Sequence, residues 1–474
     1  MNKKMKSEYT SFPLSDKLIN DFEVYQSDIK QNGNEKINKI REDAFAGFLK
    51  QGLPTQALEN WKNTSLTDVY NETYHHYYQA PETIEDIDKI FQCNVPHLNT
   101  LMLATLNSWY VSKKESLTKL PNGVIYGSLA AAMHEYPEII EKHFAKYADT
   151  LKNGLTAINT AMALDGFFIY IPQNIEVKQP IQIVNVIHHD KNICLQTRNL
   201  IILEKNSKLT LIHCDDTYNH QKSLSNTVSE FYIGENAYLD HYKMQNANND
   251  STLINSSFFH LERNAKITSN GLSLNGGILK NDNYVKMHGE ACETNIYGLY
   301  LMDRKQHIDN LVHVEHLHPN CYSNELYKGI MDDSASGVFN GHVIVHKDAQ
   351  KTNAFQKNKN ILLTDKAKVN AKPFLEIYAD DVKCSHGATV GQLDTEAMFY
   401  IRSRGIGEHN AKMLLMYAFA DEIIQKVTVE PLRYRIEDMV KKRLRGELSV
   451  CDQCVLHCSH PEKEFHFEID MTKI

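Results

Sequence analysis

The sequence predicts a mainly β protein, in which a β-solenoid core lies between helical ends. Short apolar or alternating runs rich in β-branched residues, typical of strands, begin at about Phe167 and include FFIYIP, IQIVNVI, NLIILE and LTLIHC. Helical periodicity almost disappears from there to about residue 394. Within the same region a loose internal repeat places a polar residue and a small residue just before a strand start.

The repeat occurs in KNSKLTLI, ENAYLDHY, RNAKITSN, KDAQKTNA and DKAKVNAK, whose small residues are Ser207, Ala237, Ala265, Ala349 and Ala367. Their spacing is irregular but lies near multiples of one short coil. Stacked coils with small residues at the corners are typical of a β-solenoid. A β-sandwich is the alternative, and the scarcity of Asn-Gly and Asp-Gly hairpin turns argues against it.

The segments on either side of this core are predicted to be helical. IEDIDKIFQCNVPHLNTLMLATLNSWYV and GSLAAAMHEYPEIIEKHFAKYADTL carry apolar residues at three- and four-residue spacing, as does AKMLLMYAFADEIIQKV after Asp394. The predicted organisation is an N-terminal helical domain over 1–160, a β-solenoid core over 161–394, a C-terminal helical segment over 395–445 and a Cys/His-rich tail over 446–474.

The composition and net charge of the chain argue against several classes of protein. The chain has 474 residues and a formal net charge of -8, which argues against a protein built to bind nucleic acid or anionic membrane. No apolar run approaches the roughly 20 residues needed to span a bilayer, and the basic N-terminus MNKKMKSEYTSFPLS lacks the apolar stretch of a signal peptide. We therefore expect a cytoplasmic protein whose nine cysteines are mostly reduced. It has no P-loop motif, so any ATP would be hydrolysed by a partner.

The stretch EIYADDVKCSHGATVG holds the first candidate site: Asp380, Asp381, Cys384 and His386. On a regular strand Cys384 and His386 share one face, with Asp380 beside them. A thiolate and an imidazole together suit zinc, iron or a sulfur-bearing intermediate, but two ligands are too few for a closed metal site. The spacing alone favours a buried cysteine and a histidine held by backbone. The same applies to the histidines and cysteine of HVEHLHPNCYS.

The tail CDQCVLHCSHPEKEFHFEIDMTKI holds the second candidate site, with Cys451, Cys454 and Cys458 in a C-x2-C-x3-C pattern and His460 nearby. Two thiolates spaced by two residues fit the tight turn of a metal knuckle. Three cysteines and a histidine could hold zinc, and three cysteines could hold an iron–sulfur cluster with one outside ligand. A tail with reduced thiols and no metal is the alternative.

The run from Phe339 to Gly405, FNGHVIVHKDAQKTNAFQKNKNILLTDKAKVNAKPFLEIYADDVKCSHGATVGQLDTEAMFYIRSRG, closely resembles the SufB/SufD family of iron–sulfur cluster assembly scaffolds. HVEHLHPNCYSNELYKGIMDDSASGVF and NWKNTSL resemble it too, so the likeness covers nearly all of residues 40–440. The form YADDVKCSHGATVGQLD resembles the SufD branch, because the SufB branch has a histidine-glutamate pair where this chain has His386-Gly387. The Cys451–Cys458 tail lies beyond the family pattern.

The resemblance implies a right-handed parallel β-helix that pairs with a SufB-type subunit near the C-terminal end of the core. It also implies that a SufC-type ABC ATPase docks on the helices after residue 395. His386 would face a SufB cysteine at a transient, shared iron–sulfur cluster site, with Cys384 beside it and Asp380 and Asp381 orienting the histidine or holding the turn. No cluster would be bound tightly by this chain alone.

The sequence is compatible with three candidate functions for this chain. The first is a non-enzymatic scaffold subunit for cluster assembly, and the second is a homodimeric metal-binding protein that acts without SufB. Self-pairing could use the same open strand edge. The third, a β-helical enzyme that acts on polysaccharide, would need clustered acids in a long cleft, and the sequence shows no such array.

Overall fold

In the computed structural model of the protein, the described residues are 11–76, 95, 98–112, 115–151, 153–217 and 221–446. Strands are the commonest element in this part of the chain, which contains β1 (Leu101–Leu106), β2 (Trp109–Val111), β3 (Leu117–Lys119), β4 (Ile125–Ser128), β5 (Phe167–Ile171), β6 (Ile181–Ile187), β7 (Ile193–Leu203), β8 (Lys208–Thr217), β9 (Ser223–Ile233), β10 (Tyr238–Asn246), β11 (Ser251–Leu261), β12 (Lys266–Asn275), β13 (Ile278–Met287), β14 (Glu293–Met302), β15 (His307–His316), β16 (Tyr322–Met331), β17 (Ser336–Val345), β18 (Thr352–Leu362), β19 (Lys368–Ile377) and β20 (Val382–Gly391).

The helices of the described residues lie before β1, between β4 and β5, and after β20. They are α1 (Pro13–Val24), α2 (Gln26–Gln31), α3 (Glu35–Gln51), α4 (Thr67–Tyr70), α5 (Leu129–Glu135), α6 (Pro137–His143), α7 (Gly154–Met162), α8 (Thr395–Arg402), α9 (Glu408–Ile424) and α10 (Glu430–Leu444), with a 3-10 turn at Glu59–Trp61. None of the helices in the described ranges is both long and apolar enough to cross a membrane.

The strands build two sheets that face each other. Sheet 1 has the order β2-β1-β6-β8-β10-β12-β14-β16-β18-β20, and sheet 2 has the order β19-β17-β15-β13-β11-β9-β7-β5-β4-β3. From β6 onward each strand pairs in parallel with the strand two places along the chain, so the chain winds through about eight turns. The predicted mainly β solenoid with helical ends is therefore confirmed.

The space between the sheets is filled mainly by apolar side chains on alternate strand positions. Leu239 and Ile267 occupy the same level of neighbouring coils in sheet 1, and the rings of Phe231 and Phe259 stack at 4.4 Å in sheet 2. Complete burial of such a side chain contributes about 1.5–3 kcal/mol to folding. The interior is therefore a continuous core that extends by one layer with each coil.

The small residues of the sequence repeat lie at the corners, where they are buried. Ser207, Ala237, Ala265 and Ala349 lie at the corner that leads from sheet 2 to sheet 1, whereas Ala367 lies at the opposite corner, before β19. The repeat looked irregular in the sequence because it mixes these two corners. Two coils carry Cys292 and Cys321 at the first corner, in place of alanine or serine.

A ladder of asparagines follows the same corner. Asn174, Asn206, Asn236 and Asn264 all adopt left-handed backbone conformations, with φ between 56° and 62°. The side-chain amide of each of the last three donates to the side-chain oxygen of the asparagine in the preceding coil, at 2.7–2.9 Å. Asparagine tolerates this conformation better than most residues and can add a side-chain bond, so it stabilises each turn twice.

Residues 1–160 were predicted to be mainly helical, but the helical prediction for the run that contains LMLATLNSWYV was wrong: residues 101–128 contain the four short strands β1 to β4. LMLATL of β1 pairs in parallel with β6 and places Leu103 in the interior cluster. A short apolar run fits a strand or a buried helix equally well, and here the free edge of β6 decides between them. β2 and β3 then end the two sheets with antiparallel pairs.

The N-terminal helices pack on the outer face of sheet 2 and are joined to it by a buried ion pair. Glu230 of β9 accepts the backbone N–H groups of Ala145, Tyr147 and Ala148 at 2.8–2.9 Å. It also pairs with Arg198 of β7, and both side chains are almost completely buried. The Arg198 guanidinium in turn donates to Thr160 Oγ1 of α7 at 2.8 Å. The pair therefore joins two strands to two N-terminal segments.

The C-terminal helices pack on the outer face of sheet 1. Met416, Ala420 and Ile423 of α9 join an apolar cluster with outward side chains of the even-numbered strands. Lys328 of β16 donates to the Phe419 carbonyl at 2.8 Å, and its ammonium also pairs with Glu422. The helices after residue 402 are thus connected to the sheet by both apolar packing and charge.

The replacement Arg198→Met should destabilise the protein by about 3–5 kcal/mol, because it leaves the Glu230 carboxylate buried without its charge partner. Urea denaturation measures the free energy of unfolding. Lys205→Met is the matched control, since Lys205 pairs with Glu235 at 2.9 Å in an exposed position and its loss should cost about 0–1 kcal/mol. Equal effects of the two replacements would contradict the structural role of the buried pair.

Candidate functional site

The last strand of sheet 1, β20, lies at the end of the solenoid and carries the first candidate site. It pairs with β18 on one side, and no strand of the described ranges pairs with its other side. In this register Cys384 lies over Ala354 and His386 lies over Gln356. Ala354 belongs to the interior cluster, and half-buried Cys384 packs against that cluster. Cys384 and His386 therefore occupy inward positions of a coil that the chain leaves open.

The two aspartates do not share that face. β20 begins at Val382, so Asp380 and Asp381 lie in the turn before it and the alternation expected from a regular strand does not reach Asp380. Asp381 closes the turn through its backbone: its carbonyl accepts from Lys351 N at 2.6 Å, and its N–H donates to Gln350 Oε1 at 2.9 Å. Both carboxylates are exposed.

Two polar residues that the sequence did not indicate lie beneath His386. Gln356 of β18 donates its amide to Glu325 Oε2 of β16 at 2.7 Å, and both side chains are buried. On the opposite sheet Gly341 leaves room for this amide, because a Cβ at that position would come within 2.1 Å of Gln356 Nε2. Burial raises the pKa of the Glu325 carboxyl to about 8. A neutral acid and an amide thus form the floor of the open coil.

Further inside, the interior becomes polar around a small cavity of about 40 Å³, enough for one or two waters. His241, Lys243, Gln245, Tyr300 and Tyr327 contribute to its wall. Lys243 pairs with Asp215 at 2.6 Å in the neighbouring coil, where His213 also lies. The polar interior therefore extends over several coils below the open end.

The thiols of the described residues are buried to different degrees. Burial raises the pKa of the Cys384 thiol, which favours its protonated form. At the corner, a hydrogen bond from the Cys292 thiol lowers the pKa of Cys321, and His316 adds to this effect. His316 also lies 2.9 Å from Ser323 Oγ through its Nε2 atom. The HVEHLHPNCYS run therefore places His316 and Cys321 at a buried corner, whereas His313 lies on the outer face of sheet 2.

Neither candidate site is complete within the described residues. No group of three or more His, Cys, Asp or Glu in the described ranges is close enough to hold a metal ion. Cys384 and His386 can supply at most two ligands, so a closed site at β20 would need ligands from elsewhere. The tail residues Cys451, Cys454, Cys458 and His460 lie outside the described residues.

The Glu325 carboxyl should make the protein less stable as the pH rises. Its pKa is about 8 in the folded chain and 4.5 for an ordinary glutamate, so between these values the folded state binds more protons than the unfolded state. The free energy of unfolding therefore falls across this window. Glu325→Gln should remove that fall and leave the variant a few kcal/mol more stable than the wild type at pH 8. Parallel pH profiles in urea denaturation would contradict the assignment.

The amino-acid sequence matches two family models along most of its length. Residues 13–183 match the SufBD protein N-terminal region, and residues 186–419 match the SufBD core domain of the SUF system for FeS cluster assembly.

Several relatives are similar over most of the chain. A Synechocystis iron–sulfur cluster assembly SufBD family protein is 30% identical over 406 residues, which is 82% of this chain and 87% of the relative. The SufD proteins of Escherichia coli and Bacillus subtilis are each 29% identical. These matches cover 84% and 68% of this chain, and 91% and 74% of the two relatives respectively. With its parallel β-solenoid and both family regions, the chain belongs to the SufBD family of the SUF iron–sulfur cluster assembly system.

Proposed function

We propose that this chain is a SufD-type scaffold subunit that pairs with a SufB-type subunit through the open end of its solenoid. The observation that carries the proposal is β20, whose second edge pairs with no strand among the described residues and whose inward positions hold Cys384 and His386. A second solenoid that stacks on this end would satisfy the free backbone groups. It would also enclose Cys384 and His386, so that a nascent iron–sulfur cluster could form between the two chains.

The last coil has the apolar surface that such an interface needs. Phe374 and Ile377 of β19, Tyr378 in the turn and Val390 of β20 are between 42% and 61% exposed. At the equivalent position of the preceding coil, His342 lies in register below Phe374 and is only partly exposed. Exposed apolar residues gathered at one end of a protein favour a docking surface over a solvated one.

The proposed roles at the interface follow from chemistry and position. His386 would bind iron through a neutral imidazole, and Gln356 below it would limit how deeply the cluster sits. Cys384 would stay protonated until a metal or the partner lowers the pKa of its thiol. Asp380 and Asp381 would hold the turn that sets the position of β20. The partner would supply the remaining ligands.

The C-terminal helices would dock a SufC-type ATPase. α8 has no buried residue, and its Phe399 and Tyr400 are 75% and 58% exposed. By contrast, α9 is joined to sheet 1 through Lys328 and Glu422. ATP-driven closure of two ATPase subunits would therefore pull on a helix pair that is connected to the strands under the open end. In this scheme the chain couples motion to cluster assembly and catalyses no reaction of its own, in the cytoplasm.

The second candidate function is a homodimeric metal-binding protein that acts without SufB. The open end of β20 supports it too, because a second copy could pair through the same edge. In that case zinc or iron in the isolated chain would be held by the Cys451–Cys458 tail.

Replacing His386 by alanine should remove most iron and sulfide from the complex after anaerobic co-expression with the SufB- and SufC-type partners, while the complex stays intact. Ser385→Ala is the matched control, since Ser385 lies on the opposite face of the same strand. Unchanged iron and sulfide in His386→Ala would leave that residue with a structural role. Metal lost only on truncation before Cys451 would favour the homodimeric function.

The replacements Phe399→Ala and Tyr400→Ala should weaken binding of the SufC-type ATPase by tenfold or more, as measured by titration with the purified ATPase. Their effect on thermal stability should be small, because both rings are exposed. Tyr434→Ala is the control, since Tyr434 is 57% exposed on α10. If all three variants bind the ATPase as the wild type does, α8 is not the docking helix.

A further inference from the structure

A groove of about 750 Å³ crosses the outer face of sheet 2, on the side of the solenoid away from the C-terminal helices. One wall is formed by residues 58–61 and the other by Lys146, Tyr147 and Asp149. Its floor consists of outward side chains of successive strands, among them Phe258, Tyr284, His313 and His342. The groove is therefore open to solvent but walled on two sides by the N-terminal region.

Two histidines on the groove floor face each other in an unusual way. His313 of β15 and His342 of β17 are opposite one another in the parallel register, and their Nδ1 atoms lie 3.2 Å apart. The other nitrogen of each ring contacts a carboxylate: His313 Nε2 lies 3.0 Å from Glu315 Oε1, and His342 Nε2 lies 2.8 Å from Glu376 Oε1. Both rings are thus held at one nitrogen and directed towards each other at the other.

The hydrogen-bond roles determine what lies between the two rings. A carboxylate only accepts, so each Nε2 must carry a hydrogen and donate it. A neutral imidazole that is protonated at Nε2 has a lone pair at Nδ1. Two lone pairs would then face each other across 3.2 Å, which is repulsive unless a positively charged species lies between them. That species is either one extra proton or a metal ion.

We propose that His313 and His342 bind one divalent transition-metal ion, of the zinc or ferrous type, through their Nδ1 atoms. Two imidazole nitrogens bound tetrahedrally to zinc at about 2.0–2.1 Å are separated by about 3.3 Å, close to the spacing observed. Imidazole ligands suit zinc and iron, whereas calcium and magnesium prefer oxygen. The carboxylate behind each ring is the arrangement that orients metal-binding histidines and raises their basicity.

Two protein ligands leave about half of a tetrahedral shell open towards the groove. No third His, Cys, Asp or Glu of the described ranges completes this site. His260, which also contacts a carboxylate through Nε2, lies two strands away at roughly 10 Å, too far to bind the same ion. Water or an anionic small molecule in the groove would fill the open positions. The ion would therefore exchange with the solution. This behaviour suits a site that takes up and releases a metal ion, rather than a structural metal site.

This site is separate from the proposed cluster site. His386 lies on the inner face of sheet 1, whereas His313 and His342 lie on the outer face of sheet 2. The inference does not rest on pairing with a SufB-type subunit, and its test uses the purified chain alone.

The test is a Zn²⁺ titration of the full, EDTA-treated chain by calorimetry, with X-ray absorption at the zinc edge. The wild type should bind at least one ion more than the double variant His313→Gln/His342→Gln, and the additional ion should show nitrogen and oxygen neighbours near 2.0–2.1 Å without sulfur near 2.3 Å. The sulfur distance separates this ion from any that is held by tail thiolates.

Two single replacements sharpen the result. Glu376→Gln should lower the affinity for the additional ion by about 10–100-fold, because it weakens the hold on the His342 ring. His288→Gln is the matched control: His288 lines the same groove and stacks on His260 at 4.2 Å, outside the pair, and the affinity should not change. Equal zinc content and affinity in the wild type and the double variant would overturn the proposal and leave a shared proton between the rings. Anomalous diffraction from wild-type crystals soaked in Zn²⁺ gives an independent answer should the double variant fail to fold.

Discussion

The structure depends on the parallel hydrogen-bond ladder that joins each coil to the next. Each strand from β6 onward pairs with the strand two places along the chain. A register shift lies at the end of β10, between Gln245 and Asn246. Because the register is otherwise kept within the paired strands, side chains at one strand position form columns through the molecule. His386, Gln356 and Glu325 belong to one inner column, and His342 and His313 belong to one outer column.

Both outer faces of the solenoid hold their helices by apolar packing together with charge. Sheet 2 contributes Cys194, Leu224 and Ile254 to an apolar cluster with the N-terminal region, and the buried pair of Arg198 and Glu230 adds charge. Sheet 1 packs against α9 and α10 in an apolar cluster, and Lys328 pairs with Glu422 of α9. By contrast, α8 has no buried residue. Of the C-terminal helices, α8 is therefore the one least restrained by the strands.

Much of the fold could be predicted because a solenoid repeats its local signals. Small residues at the corners and short β-branched runs predicted the coils. LMLATL was predicted to be helical, because its apolar pattern suits a helix and a strand alike. The residues that surround the candidate site on β20 could not be predicted from the sequence. Coil length varies, so that residues stacked on one another lie 26 to 32 positions apart along the chain. One residue more or less in a turn would exchange inner for outer positions. The contact between Glu325 and Gln356 and the contact between His313 and His342 could therefore be identified only from the structure.

The two ends of the solenoid are not alike, and this difference limits what the protein can build. At one end the short antiparallel strands β2 and β3 terminate both sheets, while β19 and β20 end the other with full-length edges. A stack that could grow from both ends would polymerise into fibres. Under the proposed pairing through β19 and β20, association stops when two such ends meet. This geometry would restrict the proposed strand-on-strand assembly to a closed pair.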